Sequence, residues 1–188
     1  METELIDRLY ALAERACQSK NNAFGYGIWS HHIKPMVDIA RKLAKQFGAD
    51  EEIVIIATLL HDLAGIQNSN DKAEHHMIGA KKAEQILNSY NYPAEKIKRV
   101  KQCIQNHRGS VNNQKHSIEE TCVADADAIV HMTEVPSLFY AAFKEMGMSI
   151  DVGKKWLREK IQRDWDKMSA NSKKLFKHKY QAVMEVLL

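Results

Sequence analysis

The sequence predicts an all-α fold in which about eight to nine helices pack as a single-domain bundle over residues 1–188. Apolar residues recur three and four positions apart along most of the chain, which is the spacing of amphipathic helices. The alternation of apolar and polar residues that is typical of strands is nearly absent. Only three prolines and eight glycines interrupt the helical pattern. A chain of 188 residues is long enough to bury the core of one compact domain.

Three helices are predicted in the first third of the chain. The first has one apolar face, formed by Leu5, Ile6, Leu9, Leu12, Ala13 and Ala16. After a loop rich in Asn and Gly at 21–27, a second helix begins near Ser30 and ends at Gly48, because glycine is common just after a last helical turn. Asp50 is a suitable N-cap for a third helix, which ends near Gly65.

The remaining helices follow from proline positions and from one capping box. A fourth helix covers about 74–90, and a fifth is opened by proline and covers about 93–108. After a polar loop, a Ser-x-x-Glu capping box that begins at Ser117 starts a sixth helix. Pro136 restarts a seventh helix, and 151–188 is read as two more helices with basic outer faces.

Composition excludes several classes of protein. The net charge of +3 is too small to indicate a nucleic-acid partner, and the basic segment 173–179 is interpreted as a solvated helix face. The longest apolar run, 53–60, is too short to cross a membrane, and the acidic N-terminus has no apolar signal core. The chain is therefore expected to be cytoplasmic. Its widely spaced cysteines agree with that location because they form neither a disulfide framework nor a zinc pattern; they are Cys17, Cys103 and Cys122.

An ionisable pair, His61 and Asp62, directly follows the apolar run 53–60. Such a pair is costly at the end of a core-facing helix unless a partner compensates it, and imidazole and carboxylate are both good metal ligands. His32 lies 29 residues upstream, and Asp125 and Asp127 lie downstream on the sixth predicted helix. This order predicts a metalloenzyme. Two imidazoles and two carboxylates suit Mn, Fe, Co, Ni, Zn or Mg and do not choose among them.

The order His32…His61-Asp62…Asp127 resembles the HD-domain superfamily of metal-dependent phosphohydrolases. The resemblance covers about 25–145, and it implies that the helices at 150–188 pack on this HD core. The superfamily's last ligand usually lies in a string such as Ala-Asp-Ala-Ile, which occurs here at 126–129 and implies Asp127. The resemblance thus implies His32, His61, Asp62 and Asp127 as metal ligands. Asp125 is the alternative to Asp127, and His31 is the alternative to His32 because adjacent histidines leave the register open by one.

The resemblance also implies an outer part of the site. In superfamily branches with two metals, a His precedes a Gly-Ala helix start and another His ends the next helix. His75 and His107 match these two places, with His76 as the alternative to His75. They are expected to bind a second metal or to donate hydrogen bonds to a substrate phosphate. Arg108 is a candidate for a bidentate phosphate clamp.

One position departs from the pattern of the superfamily. Some HD nucleotidases carry an acidic catalytic residue three or four places after the His-Asp pair, where this chain has Gly65 and Ile66. No general base is therefore named beyond a metal-activated water, and Asp62 and Asp125 are the candidate proton acceptors. The aromatic segment from Phe24 to Trp29 either walls the substrate pocket or packs in the core, with packing favoured for Tyr26 and Trp29. The remaining histidines match no ligand position and are interpreted as ordinary residues; they are His116, His131 and His178.

The expected activity is metal-dependent hydrolysis of a phosphate ester or anhydride in a small substrate, either nucleotide-like or another small phosphorylated compound. One alternative is di-iron oxygenase chemistry on the same scaffold, which His75 and His107 leave open. The other is a non-catalytic regulatory module that binds metal without turnover. The sequence does not choose the oligomeric state, the native metal or the number of metals.

Overall fold

The protein is described from a computed structural model, which covers residues 2–20, 22, 24–25, 27–68, 70–71, 74–108 and 114–188. The described residues form ten α-helices and no strand, which confirms the all-α prediction. The helices are α1 (Glu2–Cys17), α2 (Lys34–Phe47), α3 (Glu51–Leu60), α4 (Leu63–Gln67), α5 (His75–Ser89), α6 (Ala94–Asn106), α7 (Ile118–Thr133), α8 (Val135–Tyr140), α9 (Ile150–Lys167) and α10 (Ala170–Val186). A π-helical turn, Trp29–Ile33, leads into α2, and a second one, Ala141–Glu145, follows α8.

Three predicted helix ends are capped as the sequence indicated. Gly48 follows α2 with φ of 73°, a left-handed conformation that side chains disfavour. The Asp50 carboxylate accepts a hydrogen bond from the N–H of Ile53 at the start of α3. The Ser117 hydroxyl accepts one from the N–H of Glu120 at the start of α7. The last two caps fix where the helix that precedes the His-Asp pair and the helix that carries Asp127 begin.

The third predicted helix is in fact two helices. α3 ends at Leu60 and α4 begins at Leu63, so His61 and Asp62 form a turn between them, with φ of −102° and ψ of 2° at Asp62. The prediction of one helix from Asp50 to Gly65 was wrong because apolar residues continue on both sides of the turn and no glycine or proline marks it. The tertiary arrangement overrides that local pattern. The break accounts for one helix more than the nine predicted along the chain.

The helices surround α3, whose residues from Ile53 to Leu60 are all buried. α3 packs against α1, α2, α6 and α7, and α5 packs against α6. α7 is the second central helix, because it contacts α2 and α6 on one side and α9 and α10 on the other. The C-terminal helices are therefore attached to the helix that carries Asp125 and Asp127. Within the described ranges, no helix is both long and apolar enough to cross a membrane.

Asp125 links α7 to the start of α10. Its two carboxylate oxygens accept hydrogen bonds from the N–H of Ser169, at 2.9 Å, and from the Ser169 hydroxyl, at 2.5 Å. Ser169 is also the N-cap of α10, since its hydroxyl accepts a hydrogen bond from the N–H of Ser172. Asp125 is almost fully buried and has a structural partner on each oxygen.

Candidate metal centre

The four ligands that the resemblance implies come together from separate segments. His32 comes from the π-helical turn before α2, His61 and Asp62 from the turn between α3 and α4, and Asp127 from α7. Nε2 of His32 lies 3.3 Å from Nε2 of His61 and 3.6 Å from a carboxylate oxygen of both Asp62 and Asp127. All four side chains are buried. Two imidazoles and two carboxylates thus converge at the protein interior.

Asp62 is also shared with a second pair of histidines. Its Oδ2 atom faces His61 at 3.3 Å, whereas its Oδ1 atom lies 3.1 Å from Nε2 of His75 and 3.9 Å from Nε2 of His107. The Nε2 atoms of His75 and His107 are 3.3 Å apart. The carboxylate therefore lies between two groups of imidazoles and would offer one oxygen to each group if both held a metal.

Hydrogen bonds to the backbone orient two of these imidazoles. Nδ1 of His61 donates to the carbonyl of Thr58 at 2.7 Å, and Nδ1 of His107 donates to the carbonyl of Ile104 at 2.6 Å. An imidazole that is protonated at Nδ1 presents a lone pair at Nε2, and metal-binding histidines are commonly held in this way. Both Nε2 atoms point into the cluster. The donors that are present therefore fit one or two divalent metal ions.

The geometry distinguishes the neighbouring residues that the sequence left as alternative ligands. His31 is half exposed and faces Glu134 at 3.5 Å, so of the two adjacent histidines only His32 lies in the cluster. His75 contacts Asp62, whereas no carboxylate of the cluster lies beside the neighbouring His76 among the described residues. Asp125 points toward α10, on a different side of α7 from Asp127.

The histidines of the cluster differ in the direction in which their surroundings shift the pKa. Burial, and then the nearby His131, lowers the pKa of His32 to about 3, and burial with the nearby His61 lowers the pKa of His107 to about 3. Burial also opposes a charge on His61, but the adjacent Asp62 carboxylate outweighs it and raises the pKa of His61 to about 9. At neutral pH without metal, His61 therefore holds a proton that a metal ion would replace.

Three residues that the sequence analysis did not select complete the surroundings of Asp127. The interpretation of His131 as an ordinary residue was wrong, because its ring stacks on His32 with centroids 5.0 Å apart and its Nδ1 lies 3.0 Å from Asp164 of α9. Lys167, also of α9, donates to Asp127 at 2.5 Å and lies 3.6 Å from Asp164. Burial disfavours a charge on Lys167, but Asp127 and Asp164 outweigh it and raise the pKa of Lys167. The lysine is therefore a buried cation.

A cavity of about 610 Å³ opens at this cluster. His32, Asp62, His75, His107 and Asp127 line one part of it, together with the predicted phosphate clamp Arg108. Phe24 also lines the cavity, whereas Trp29 packs edge-on against Tyr10, with ring centroids 6.1 Å apart. Tyr26 lies outside the described residues. Of the described aromatic residues in this segment, Phe24 thus lines the cavity and Trp29 packs against another aromatic ring.

Phe24 packs closely against Gly65, one of the two positions where some HD nucleotidases carry an acidic residue. A Cβ atom at Gly65 would lie 2.7 Å from the Phe24 ring, which is closer than such contacts allow. A larger residue at this position would displace the ring from the cavity wall. Glycine at 65 therefore lets the Phe24 ring lie against α4, and any side chain at this position would require the ring to move.

Comparison with known proteins agrees with this geometry. The sequence model of the HD domain matches residues 29–132, which is more than half of the chain. A protein of Clostridium beijerinckii described as uncharacterized is 29% identical over 83 residues, which are 42% of this chain and 53% of that protein. The chain thus spans about half the length of this relative.

Solved structures share the fold over nearly the whole chain. An HD-superfamily hydrolase from Bacillus thuringiensis is 21% identical with a TM-score of 0.73, and the match covers 100% of this chain and 95% of that one. Bacillus subtilis YpgQ is 19% identical with a TM-score of 0.75, and the match covers 99% and 93% of the two chains. At these identities the likeness concerns the fold alone. Together with the match of the family model, it shows that this chain belongs to the HD domain family.

Proposed function

We propose that this protein is a metal-dependent phosphohydrolase that cleaves a phosphate ester or anhydride of a small phosphorylated substrate. The observation that carries the proposal is the position of Asp62, whose two oxygens face two groups of imidazoles at the wall of a 610 Å³ cavity. The cavity also exposes cationic side chains, which a phosphorylated substrate requires. Membership of the HD domain family agrees with this reaction class.

The residues divide into two sets of candidate ligands. His32, His61 and Asp127 would hold the first metal together with one oxygen of Asp62, and His75 and His107 would hold a second metal with its other oxygen. A divalent metal supplies a lowered pKa for a water molecule and neutralises charge on a phosphoryl group. Because these ligands come from different packed helices, the fold fixes their relative positions before any substrate binds.

The side chains around the ligands prepare the site for an anion. Lys167 compensates the buried charge of Asp127 and so holds its second oxygen away from the centre. Arg108 lines the cavity next to His107 and can bind a phosphate with two parallel hydrogen bonds. Phe24 walls the side that includes His75, with ring centroids 6.5 Å apart, and limits the access of bulk water to the ligands.

The test begins with metal analysis of protein purified without chelator, followed by a phosphate-release screen with the metal found. His32→Ala is expected to lose most of the metal and the activity. His31→Ala is the matched control, because it removes the same side chain one residue away, where it is half exposed and faces Glu134. Equal metal content and activity in both variants would contradict the proposed centre. Absence of phosphate release by the metal-loaded parent across a broad panel would favour a regulatory module.

A di-iron oxygenase is the second candidate, and the approach of His75 and His107 to Asp62 favours it. Four histidines and two carboxylates are a ligand set that also suits iron. The cations at the cavity wall favour the phosphohydrolase, because they can bind the negative charge of a phosphate group. Iron content and oxygen consumption distinguish the two activities. Oxygen consumption coupled to substrate loss, without phosphate release, would replace the hydrolase by the oxygenase.

A further inference from the structure

One face of α9 forms a wall of the cavity outside the segment that the HD family model matches. Trp156, Lys160, Arg163, Asp164 and Lys167 all line the cavity. Their spacing of four, three, one and three residues places them along one side of a helix. The family match ends at residue 132, so this wall is a feature of the C-terminal helices of this chain rather than of the HD motif.

The charges on this face are unevenly compensated. Lys167 is paired with Asp127 and Asp164, and Lys160 lies 3.4 Å from Asp164. Arg163 is exposed and forms no ion pair with any carboxylate in the part of the chain that the structure describes. Glu145 also lines the cavity, but its carboxylate lies against Gly25 on another segment of the wall. Arg163 is thus a cavity cation whose partner is not a side chain of the described residues.

Lys160, three residues before Arg163 on the same face of α9, lies next to the candidate metal ligands. Lys160 lies 3.4 Å from Nδ1 of His131, and the His131 ring stacks on the ligand His32. Lys160 and Arg163 line the cavity together with the ligands His32 and Asp127. A group held by the two cations would therefore lie in the same cavity, beside a group held at the ligands.

We propose that Lys160 and Arg163 form an anion subsite that binds a second phosphate group of the substrate. The inference rests on the proposed phosphohydrolase function and names its substrate class, which is a compound with two consecutive phosphate groups rather than a monophosphate. One phosphate lies at the metal ligands and its neighbour lies between the two cations of α9. Arginine suits this role because its planar guanidinium binds phosphate oxygens in pairs.

The experiment measures binding of two probes to the full, metal-loaded chain by calorimetry. Orthophosphate occupies one anion position, and imidodiphosphate has two phosphate groups joined by a nitrogen that resists hydrolysis. Arg163→Gln and Lys160→Gln are each expected to weaken imidodiphosphate binding about tenfold, as the loss of one charge-assisted contact predicts, and to change orthophosphate binding less than about twofold. The probe also chelates free metal, but this contribution is the same for the parent and the variants because all are titrated in the same solutions. It therefore cancels in the ratio of their affinities.

Arg158→Gln is the matched control. It removes the same charge from an exposed position of α9 that does not line the cavity, so binding of both probes should equal that of the parent. If Arg158→Gln loses as much imidodiphosphate affinity as Arg163→Gln, the loss is due to the change in net charge. That result would overturn the subsite. The same conclusion follows if Arg163→Gln leaves imidodiphosphate binding unchanged or weakens both probes equally.

The outcomes also separate this inference from the proposed function. A parent protein that releases phosphate and binds both probes with equal affinity would refute the subsite alone. A parent protein that binds neither probe and releases no phosphate would refute the phosphohydrolase and the subsite together. The proposal is supported if the parent binds imidodiphosphate more tightly than orthophosphate and if this difference disappears in Arg163→Gln and Lys160→Gln but not in Arg158→Gln.

Discussion

Lys167→Met tests whether the cation on α9 and the candidate metal act on the same carboxylate. The lysine side chain is 8% exposed and contacts both Asp127 and Asp164. Asp164 keeps its contacts with Lys160 and His131 in the variant. The carboxylate left without its ion-pair partner is therefore mainly that of Asp127. Removing one partner of a buried ion pair costs about 3–5 kcal/mol, and the lower value applies here because methionine preserves the packing of the stem.

The expected shift in melting temperature follows from the size of the protein. For chains of this length, 1 kcal/mol corresponds to about 2–4 °C, so a loss of about 3 kcal/mol lowers the Tm of chelator-treated protein by about 6–12 °C. A bound divalent cation compensates the same Asp127 carboxylate that the lysine had compensated. The loss measured with saturating metal should therefore be less than half as large, and metal should bind the variant about tenfold more tightly than the parent.

The assay is thermal unfolding of parent and variant, each in chelator and in saturating metal, together with calorimetric metal binding. Lys174→Met is the control, because Lys174 is exposed on α10 and its substitution should change stability by less than about 0.5 kcal/mol. A Tm loss of the same size with and without metal would refute the reasoning. Weaker metal binding by Lys167→Met would also refute it, since the lysine would then orient Asp127 for the metal rather than compete with it.

Three further predictions concern the ligands, the metal and a proton. His61→Ala and Asp127→Ala should remove most of the metal, measured by elemental analysis, and most of the activity. Asp125→Asn should keep the metal. It should lower the free energy of unfolding by about 1–3 kcal/mol, because it weakens the hydrogen bonds between Asp125 and Ser169. Metal at about 1,000 times its Kd should raise the free energy of unfolding by about 4 kcal/mol, and chelation should lower the Tm in a thermal scan without unfolding the chain at room temperature. The pKa of His61 is raised from 6.5 to about 9, so its contribution to metal-free stability is complete below pH 6.5 and is lost as pH rises through 9. Metal binding at pH 7 should therefore release about one proton from His61, and calorimetry in buffers of different ionisation enthalpy counts that proton; no release would show that His61 is neutral before metal binds.

The sequence predicted the helices well where a single residue decides a helix end. Gly48, Asp50 and Ser117 cap the helices as expected, because glycine conformation and N-cap hydrogen bonds depend on local chain geometry. The turn at His61 and Asp62 was not predicted, because apolar residues continue on both sides of it and nothing local interrupts the helix. The single-domain organisation over residues 1–188 stays a prediction.

The candidate site was predictable only in its inner part. His32, His61, Asp62 and Asp127 stand out because polar residues interrupt apolar segments in a known order. Their role as ligands stays a prediction that the geometry agrees with. The cations of α9 could not be found in this way, because Lys160, Arg163 and Lys167 are part of an amphipathic helix whose charges look alike in sequence. Only the packing of α9 on α7 distinguishes the cavity face from the solvent face.

The two aspartates of α7 have a consequence for the order in which the protein is assembled. Asp125 and Asp127 each bind a residue near the junction of α9 and α10, namely Ser169 and Lys167. During synthesis, the segment with all the candidate ligands is complete well before those partners emerge. Until they dock, the nascent chain has two carboxylates of α7 without their partners. We therefore expect docking of the C-terminal pair to be the closing step of folding, so that defects in the connection before α9 first become visible as a lower melting temperature of the metal-free protein.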